Sequence, residues 1–347
     1  MKKRILCIVL IFAMVAATMT GCGKKDISPT DALDAASVTA LPEVTALPSV
    51  TAVPTVTEVP VVTTVPDVTK KKKATSAKVI EERIQLENFI KIPQNHRSYA
   101  VDFTDEGDMY VVCAPDYGSG TLYKVSTDGV MSEICTIVST FIGPAIDIDH
   151  DNNIYVGAGQ QLQKVSEDGA VEVVADGFGR CFDVTEDSDN NLFVIDETFE
   201  KIYKISPKGE KEEYINFSPK TGLEFDLIGI EYNEFDDNLY VAYNECIYKY
   251  PVNSKDAVNQ GELVYTATEG LFGIAINKDG NIYVDTKKNT IIELEYDTLN
   301  THVYLTKGNT LFIGLAFGKG AFDENTLYVT TNQGICKFQK DKIVKAE

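Results

Sequence analysis

The sequence is poor in the residues on which several kinds of chemistry depend. It contains no tryptophan, and its three histidines, His96, His150 and His302, are the only imidazoles available for metal ligation or general base catalysis. Basic residues are also scarce, because 32 lysines and arginines stand against 52 aspartates and glutamates, a formal net charge of −20. Such a chain is repelled by phosphate backbones, and we expect no nucleic acid partner.

Motifs with a defined catalytic geometry are absent as well. The sequence has no Gly-x-Ser-x-Gly nucleophile elbow, no phosphate-binding loop and no His-Glu-x-x-His zinc motif. After the first 79 residues the cysteines are odd in number and never fall at zinc or redox spacing, which predicts buried free thiols. They are Cys113, Cys135, Cys181, Cys246 and Cys336.

Only one long apolar run occurs, and it lies near the N-terminus. A basic segment over 2–4 precedes apolar residues over 5–17, a run too short to cross a bilayer and typical of an export signal. Gly21 directly before Cys22 resembles the bacterial lipobox. The resemblance implies that residues 1–21 are a lipoprotein signal peptide and that Cys22 carries acyl chains. We therefore expect a lipid anchor in the cell membrane, with the protein on the extracytoplasmic face.

A strict six-residue period follows the anchor. Proline removes backbone hydrogen-bond donors, and the valines and threonines between the prolines are poor helix formers. Residues 22–79 are therefore predicted to be the lipidated cysteine and an extended, disordered linker, whose threonines permit O-glycosylation. The prolines in register are Pro42, Pro48, Pro54, Pro60 and Pro66.

From Ile80 onward the chain changes in charge and in period. This part holds 46 acidic and 22 basic residues, a net charge of −24. A polar turn rich in Asp, Asn and Gly is followed by an aromatic strand, and this pair recurs six times at intervals of 38 to 47 residues. The recurring aromatic residues are Tyr110, Tyr155, Phe193, Tyr240, Tyr283 and Tyr328.

A second strand follows each aromatic strand and carries a lysine, except in the fifth unit, where Glu293 replaces it. Each unit alternates apolar and polar residues with period two and has no amphipathic helix. This pattern predicts an all-β, monomeric, six-bladed β-propeller of four-stranded antiparallel blades over residues 80–347. The ring could close through a strand at 83–89 added to the last blade or through 342–346. The spacing to Val101 favours the first.

The segment 272–284 resembles the repeat consensus of the NHL family, and all six units are similar, more loosely, to gluconolactonase-like six-bladed propellers. In those enzymes a divalent metal lies over the central channel, held by carboxylate and asparagine side chains just before the innermost strands. The matching positions here offer no such ligand, so lactonase activity by that mechanism is not expected. They are Tyr99, Pro144, Arg180, Ile228, Phe272 and Ile313.

Four acidic residues align with Ala275 of the fifth unit in the predicted innermost strands. Each lies between apolar residues, so strand alternation directs its side chain toward the central channel. Such a cluster either binds a cation, for which oxygen ligands favour Ca²⁺, or lies in a water-filled channel and bonds to backbone amides of adjacent blades. We favour the second alternative and expect no other cofactor. The candidate metal ligands are Asp102, Asp147, Asp183 and Glu231.

The loops before the innermost strands form the mouth of the predicted ring. Our leading hypothesis is a non-catalytic cell-surface lipoprotein whose mouth loops bind an envelope protein or a glycan. The candidate binding residues are His96, Arg97, Tyr117, Arg180 and Glu224.

The alternative hypothesis is an extracellular cation-dependent hydrolase or lyase of the gluconolactonase-like or streptogramin-lyase-like propeller type. Antibiotic-inactivating propeller lyases use a histidine on the mouth face, and this resemblance implies His96 as the candidate. The sequence offers no second partner for that histidine. No residue is therefore assigned a catalytic role.

Overall fold

Short strands joined by polar turns make up almost all of the chain that the structure describes. The computed structural model describes residues 78–116, 118–139, 142–217, 227–254, 257–306 and 311–342. These residues belong to one of the two compact units of the chain, Glu58–Glu347. The predicted signal peptide, the lipidated Cys22 and the proline-rich linker up to residue 77 lie outside the described residues. Within the described ranges, no helix has the length and apolar character needed to cross a bilayer.

The strands form six sheets, which are the blades of a propeller. Two strands come first: β1 (Val79–Ile84) and β2 (Glu87–Lys91). Blade one contains β3 (Arg97–Phe103), β4 (Met109–Ala114), β5 (Gly120–Val125) and β6 (Met131–Ile137). Blade two contains β7 (Ile142–Ile148), β8 (Ile154–Ala158), β9 (Gln161–Val165) and β10 (Val171–Ala175). Blade three contains β11 (Cys181–Glu186), β12 (Leu192–Asp196), β13 (Lys201–Ile205) and β14 (Lys211–Asn216).

The second half of the ring follows the same plan. Blade four contains β15 (Leu227–Asn233), β16 (Asn238–Tyr243), β17 (Cys246–Pro251) and β18 (Glu262–Thr266). Blade five contains β19 (Leu271–Ile276), β20 (Ile282–Thr286), β21 (Thr290–Leu294) and β22 (Thr301–Thr306). Blade six contains β23 (Phe312–Phe317), β24 (Thr326–Thr331) and β25 (Gly334–Gln339), and short 3₁₀ turns occupy Ala257–Gln260 and Lys340–Lys342. The predicted all-β, six-bladed fold is confirmed.

The N-terminal strands complete the ring. Strand β2 pairs antiparallel with β25 and supplies the fourth strand of blade six, close to the predicted segment 83–89. The six innermost strands contact one another in sequence, and β23 contacts β3. The repeat pattern does not predict the position of β1, which pairs parallel with β22 as a fifth strand of blade five. Its last residue, Ile84, is buried in an apolar cluster with Tyr304 and Phe338.

Apolar side chains fill the layers between adjacent blades. Between blades six and one, the ring of Phe103 lies 5.1 Å from that of Phe322 and 5.0 Å from that of Tyr328, measured between centroids. Between blades three and four, Phe217 stacks on Tyr243 at 4.8 Å. Burial of each such side chain contributes about 1.5–3 kcal/mol to folding. Because one blade cannot cover both of its faces, this burial requires the closed ring.

The repeated lysine, on the third strand of its blade, packs against the ring of the repeated aromatic residue on the neighbouring second strand. Lys124 Nζ lies 5.8 Å from the ring centroid of Tyr110, and Lys204 Nζ lies 5.2 Å from that of Phe193. The five cysteines of this part of the chain are free thiols, and all except the half-buried Cys135 are buried. The prediction of buried free thiols is therefore confirmed for four of the five cysteines, whereas Cys135 is free but only partly buried.

Candidate functional site

The four predicted acids all line one cavity in the central channel. The cavity has a volume of about 110 Å³. In blades one, two and four, the acid pairs with the repeated aromatic residue of the second strand, and its side chain is directed to the channel as the strand alternation predicts. The carboxylates are those of Asp102, Asp147, Asp183 and Glu231.

The alignment of Asp183 with the other three acids is wrong by two residues. In blade three the strand register pairs Thr185 with Phe193, whereas Asp183 pairs with Ile195. The turn over 187–191 that follows β11 is as long as the turn over 149–153 that follows β7, so the acid itself lies two residues earlier in its strand. Because side chains alternate with period two, Asp183 still faces the channel, displaced along its axis.

Two of the acids accept hydrogen bonds from backbone amides of the neighbouring blade. The amide of Ile148 donates to Asp102 Oδ2 at 2.8 Å, and the amide of Ile230 donates to Asp183 Oδ2 at 2.9 Å. Asp183 Oδ1 also accepts from the amide of Val184 at 3.0 Å. These contacts match the arrangement that we favoured for a water-filled channel. Asp147 differs, because its buried Oδ2 has no hydrogen-bond partner within the described part of the chain.

Lys319 is the channel residue that the sequence analysis missed. It follows β23 in the long connection to β24 and lines the cavity together with the four acids. Its attraction to Asp102, and more weakly to Asp147, raises the pKa of its ammonium group despite burial. No repeat signal marks this lysine, since the connection that carries it is longer than the corresponding turns of the other blades.

Burial is the largest influence on the protonation of the channel acids. It raises the pKa of Asp183 to about 8, although the two backbone amides oppose the shift. Burial raises the pKa values of Asp147 and Glu231 well above their ordinary range, and repulsion from the neighbouring carboxylates adds to this effect. These carboxyl groups can therefore hold protons near neutral pH, where exposed carboxyls are ionised.

We call the end of the channel at which the innermost strands end the exit face. A larger pocket, of about 610 Å³, opens there. Glu231 and Lys319 line both this pocket and the channel cavity, and so lie where the two meet. Aromatic side chains of Tyr232, Phe235 and Phe317 contribute to the wall. The other charged lining residues are Asp105, Glu234, Lys278 and Glu324.

His150 lies among the acidic residues of the exit face. Its Nδ1 is 3.8 Å from Asp105 Oδ2, and its Nε2 is 3.9 Å from Glu234 Oε1. It thus connects turns of blades one, two and four. The sequence places His150 in an ordinary hairpin turn, and the ring closure brings it close to carboxylates that are far away along the chain.

The predicted mouth-loop residues lie at the opposite face, where the innermost strands begin. Arg97 begins β3 and pairs with Asp116, while His96 precedes the strand. Arg180 precedes β11, and its Nη1 donates to Oε1 of the buried Glu197 at 3.1 Å. Two of the candidate binding residues, Tyr117 and Glu224, lie outside the described residues.

The metal centre of gluconolactonase-like propellers does not fit the residues found here. Ile228 and Ile313 line the channel at two of the matching positions, and their apolar side chains offer no ligand atom. Arg180, at a third, is held by a carboxylate. In the described ranges no group of three or more His, Cys, Asp or Glu side chains is arranged to hold a metal ion. A Ca²⁺ ion among the channel acids stays a prediction.

The fold is similar to that of several enzymes of known structure. One is virginiamycin B lyase from Staphylococcus aureus, solved as a catalytically inactive histidine-to-alanine variant with quinupristin. It has 14% identity and a TM-score of 0.52, and the match covers 73% of this chain and 98% of that chain. A gluconolactonase from Xanthomonas campestris has 12% identity and a TM-score of 0.58, and the match covers 73% and 88%.

A third structure, a putative gluconolactonase, has 17% identity and a TM-score of 0.52, and the match covers 76% of this chain and 100% of that chain. At these identities the likeness shows the fold. It confirms the resemblance to gluconolactonase-like propellers that the sequence repeats indicate. No protein-family model matches the chain. No curated protein matches its sequence.

Proposed function

We propose that the propeller is an enzyme, a hydrolase or lyase that opens a cyclic ester at the exit face. The observation that carries this proposal is the position of Glu231 and Lys319 between the pocket and the channel cavity. A substrate that fills the pocket meets a carboxyl group that can hold a proton and an ammonium group that does not lose its charge. Together these supply the proton transfer and the electrostatic stabilisation that ester cleavage requires.

Each of the two residues has a distinct role in this mechanism. The ammonium group of Lys319 stabilises negative charge on the ester oxygens, either in a tetrahedral intermediate or on a departing carboxylate. Glu231, whose pKa is raised, is a strong base when ionised and a proton donor when neutral. Hydrolysis needs Glu231 to activate water. Elimination needs it to remove a proton from the carbon adjacent to the one that bears the leaving oxygen, so that a C=C bond forms as the C–O bond breaks and the carboxylate departs.

The similar structures support this function over the non-catalytic binding of our leading sequence hypothesis. Virginiamycin B lyase and gluconolactonase are both enzymes with this fold. The extracytoplasmic location is part of the same proposal, since a lipid anchor at Cys22 would place the enzyme where it meets substrates outside the cell.

The test is to incubate the purified full-length chain with sugar lactones and with cyclic depsipeptides of the streptogramin B class. Mass spectrometry separates the two reactions, because hydrolysis adds the mass of one water and elimination leaves the mass unchanged. We expect ring opening that falls at least about a hundredfold in Glu231→Gln and in Lys319→Met.

The matched control is Glu167→Gln, which removes one negative charge from an exposed turn outside the pocket and is expected to retain activity. Ring opening by Glu231→Gln at the rate of the unmodified chain would refute the mechanism. Absence of turnover over the whole panel would favour the non-catalytic binding of an envelope protein or glycan.

A further inference from the structure

Lys319 lies in a loop whose backbone is held at several points. We call residues 318–322 the lysine loop. The amide of Gly318 donates to the carbonyl oxygen of Thr326 at 3.1 Å, and the amide of Phe322 donates to the carbonyl oxygen of Lys319 at 3.0 Å. These hydrogen bonds fix the main chain before and after the lysine, although the connection that contains the loop is longer than the corresponding turns of the other blades.

The lysine loop also lies directly against blade one. Gly320 has a φ of +56°, and a Cβ placed on it would lie 2.5 Å from the backbone nitrogen of Gly107 and 2.6 Å from the carbonyl oxygen of Asp105. A carbon atom cannot pack this closely against either atom, and neither belongs to a flexible side chain that could move aside. Any other residue at position 320 must therefore shift the loop away from this turn of blade one, and the backbone of Lys319 would move with it.

A buried aromatic side chain anchors the end of the lysine loop. Phe322 is 4% exposed. Its ring centroid lies 5.1 Å from that of Phe103, 5.8 Å from that of Tyr328 and 6.4 Å from that of Phe89. Phe103 is the last residue of β3 and directly precedes the turn that Gly320 contacts. The loop is thus attached at two points to one short segment of blade one.

We infer that Gly320 and Phe322 are positioning residues, which hold the backbone of Lys319 against blade one so that its ammonium group stays where the channel cavity meets the exit-face pocket. The inference rests on the proposed function, because it concerns the group that stabilises negative charge in that reaction. Lysine has a long and flexible side chain, so on a free loop its ammonium group would sample many positions. A backbone that is fixed before the substrate binds removes part of this freedom, and a displacement of about 1 Å at such a group can lower the rate about a hundredfold.

The reactivity of Lys319 toward acetic anhydride tests the inference without any turnover. After brief treatment of the full-length chain, mass spectrometry measures acetylation at Lys319 relative to the exposed Lys287. In the unmodified chain Lys319 should react slowly, because it is half-buried beside acids that raise its pKa. Gly320→Ala should accelerate its acetylation at least about tenfold, since each unit by which the pKa falls raises the fraction of free amine tenfold. Phe322→Leu keeps an apolar side chain and should cause a smaller acceleration.

Gly209→Ala is the matched control, because Gly209 has a similar φ of +80° but open space around it. This variant should leave the acetylation of Lys319 and the turnover unchanged. Thermal melting followed by circular dichroism verifies that each variant is folded at the assay temperature. In the ring-opening assay, Gly320→Ala should lower kcat about a hundredfold with little change in KM, since Lys319 acts on charge that forms in the transition state.

Three results would overturn the inference. They are unchanged acetylation of Lys319 in both folded loop variants, an equal acceleration in Gly209→Ala, and an unchanged kcat for Gly320→Ala on a substrate whose turnover falls in Lys319→Met. Acetylation needs no substrate, so its outcome is separate from that of the ring-opening assay. Slow acetylation that both loop variants accelerate, without turnover of any substrate, would support the positioning of Lys319 and remove only the proposed reaction.

Discussion

Lys340 Nζ donates a hydrogen bond to Oε1 of Glu293 at 2.9 Å. Blade five is the one blade in which a glutamate replaces the repeated lysine, and this ion pair supplies that glutamate with a cation. The Glu293 side chain is fully buried opposite Tyr283, where the other blades have lysine. Its Oε2 accepts from the hydroxyl of Tyr304 at 2.7 Å. Lys340 follows the last strand of blade six, so the replaced lysine has a counterpart from the adjacent blade.

Replacing Lys340 with methionine should therefore destabilise the propeller by about 1–3 kcal/mol, because the buried Glu293 carboxylate loses its cation. Urea unfolding measures the loss. Lys208→Met, at an exposed turn, is the control and should change stability little. In the Lys340→Met background, Glu293→Gln should recover part of the loss, since it removes the unpaired charge. A Lys340→Met variant as stable as the original chain would contradict this role.

The stability of the propeller should fall as pH rises from about 4 to about 8. Asp285 is fully buried in β20, and burial raises its pKa from 3.8 to about 8. In that interval the folded chain keeps a proton that the unfolded chain has released, so a rise in pH favours unfolding by up to about 1.4 kcal/mol per pH unit for this group. Burial of Asp183, with a pKa of about 8, acts in the same direction.

Urea unfolding across this pH range measures the slope, and Asp285→Asn separates the contribution of one residue. Asparagine imitates the neutral carboxyl, so the variant should lose less stability as pH rises. Asp279→Asn, at an exposed turn of the same blade, should keep the original slope. Equal slopes for Asp285→Asn and the unmodified chain would show that Asp285 does not titrate in this range.

The contact between Gly107 and Ala321 should be intolerant of any side chain. Gly107 has a φ of +94°, and a Cβ placed on it would lie 1.9 Å from the backbone nitrogen of Ala321 in blade six. Gly209 has a similar φ of +80° but open space around it. Gly107→Ala should therefore cost more free energy of unfolding than Gly209→Ala, which carries only the backbone strain of about 1 kcal/mol. Thermal unfolding of the two variants compares these costs, and equal losses would exclude a steric clash.

Anchoring is tested at Cys22, which precedes the described residues. If Cys22 is lipidated, Cys22→Ala should move the protein from the membrane fraction into the medium, because the acyl chains that hold it are lost. Ser28→Ala, a short distance further along the chain, leaves the cysteine in place and should remain in the membrane fraction. Immunoblotting of the two fractions measures the distribution. Retention of Cys22→Ala in the membrane would count against a lipid anchor.

The sequence alone determined the blades and their number. Alternation of apolar and polar residues, polar turns and a repeated aromatic residue such as Tyr155 act within a few residues of chain, so each blade is encoded locally. Six such units can bury their faces only as a closed ring, and the same alternation directs Asp102 and Asp147 to the channel.

Only the tertiary structure decided which basic residues lie beside the acids of the channel and of the exit face. Lys319 and His150 come from turns without a repeat signal, and they reach carboxylates of other blades because the ring brings the ends of all the innermost strands together. The parallel pairing of β1 was equally hidden, since it depends on the free edge of β22 in a distant blade. Contacts between residues far apart in the chain depend on how the blades pack, and no local pattern encodes that geometry.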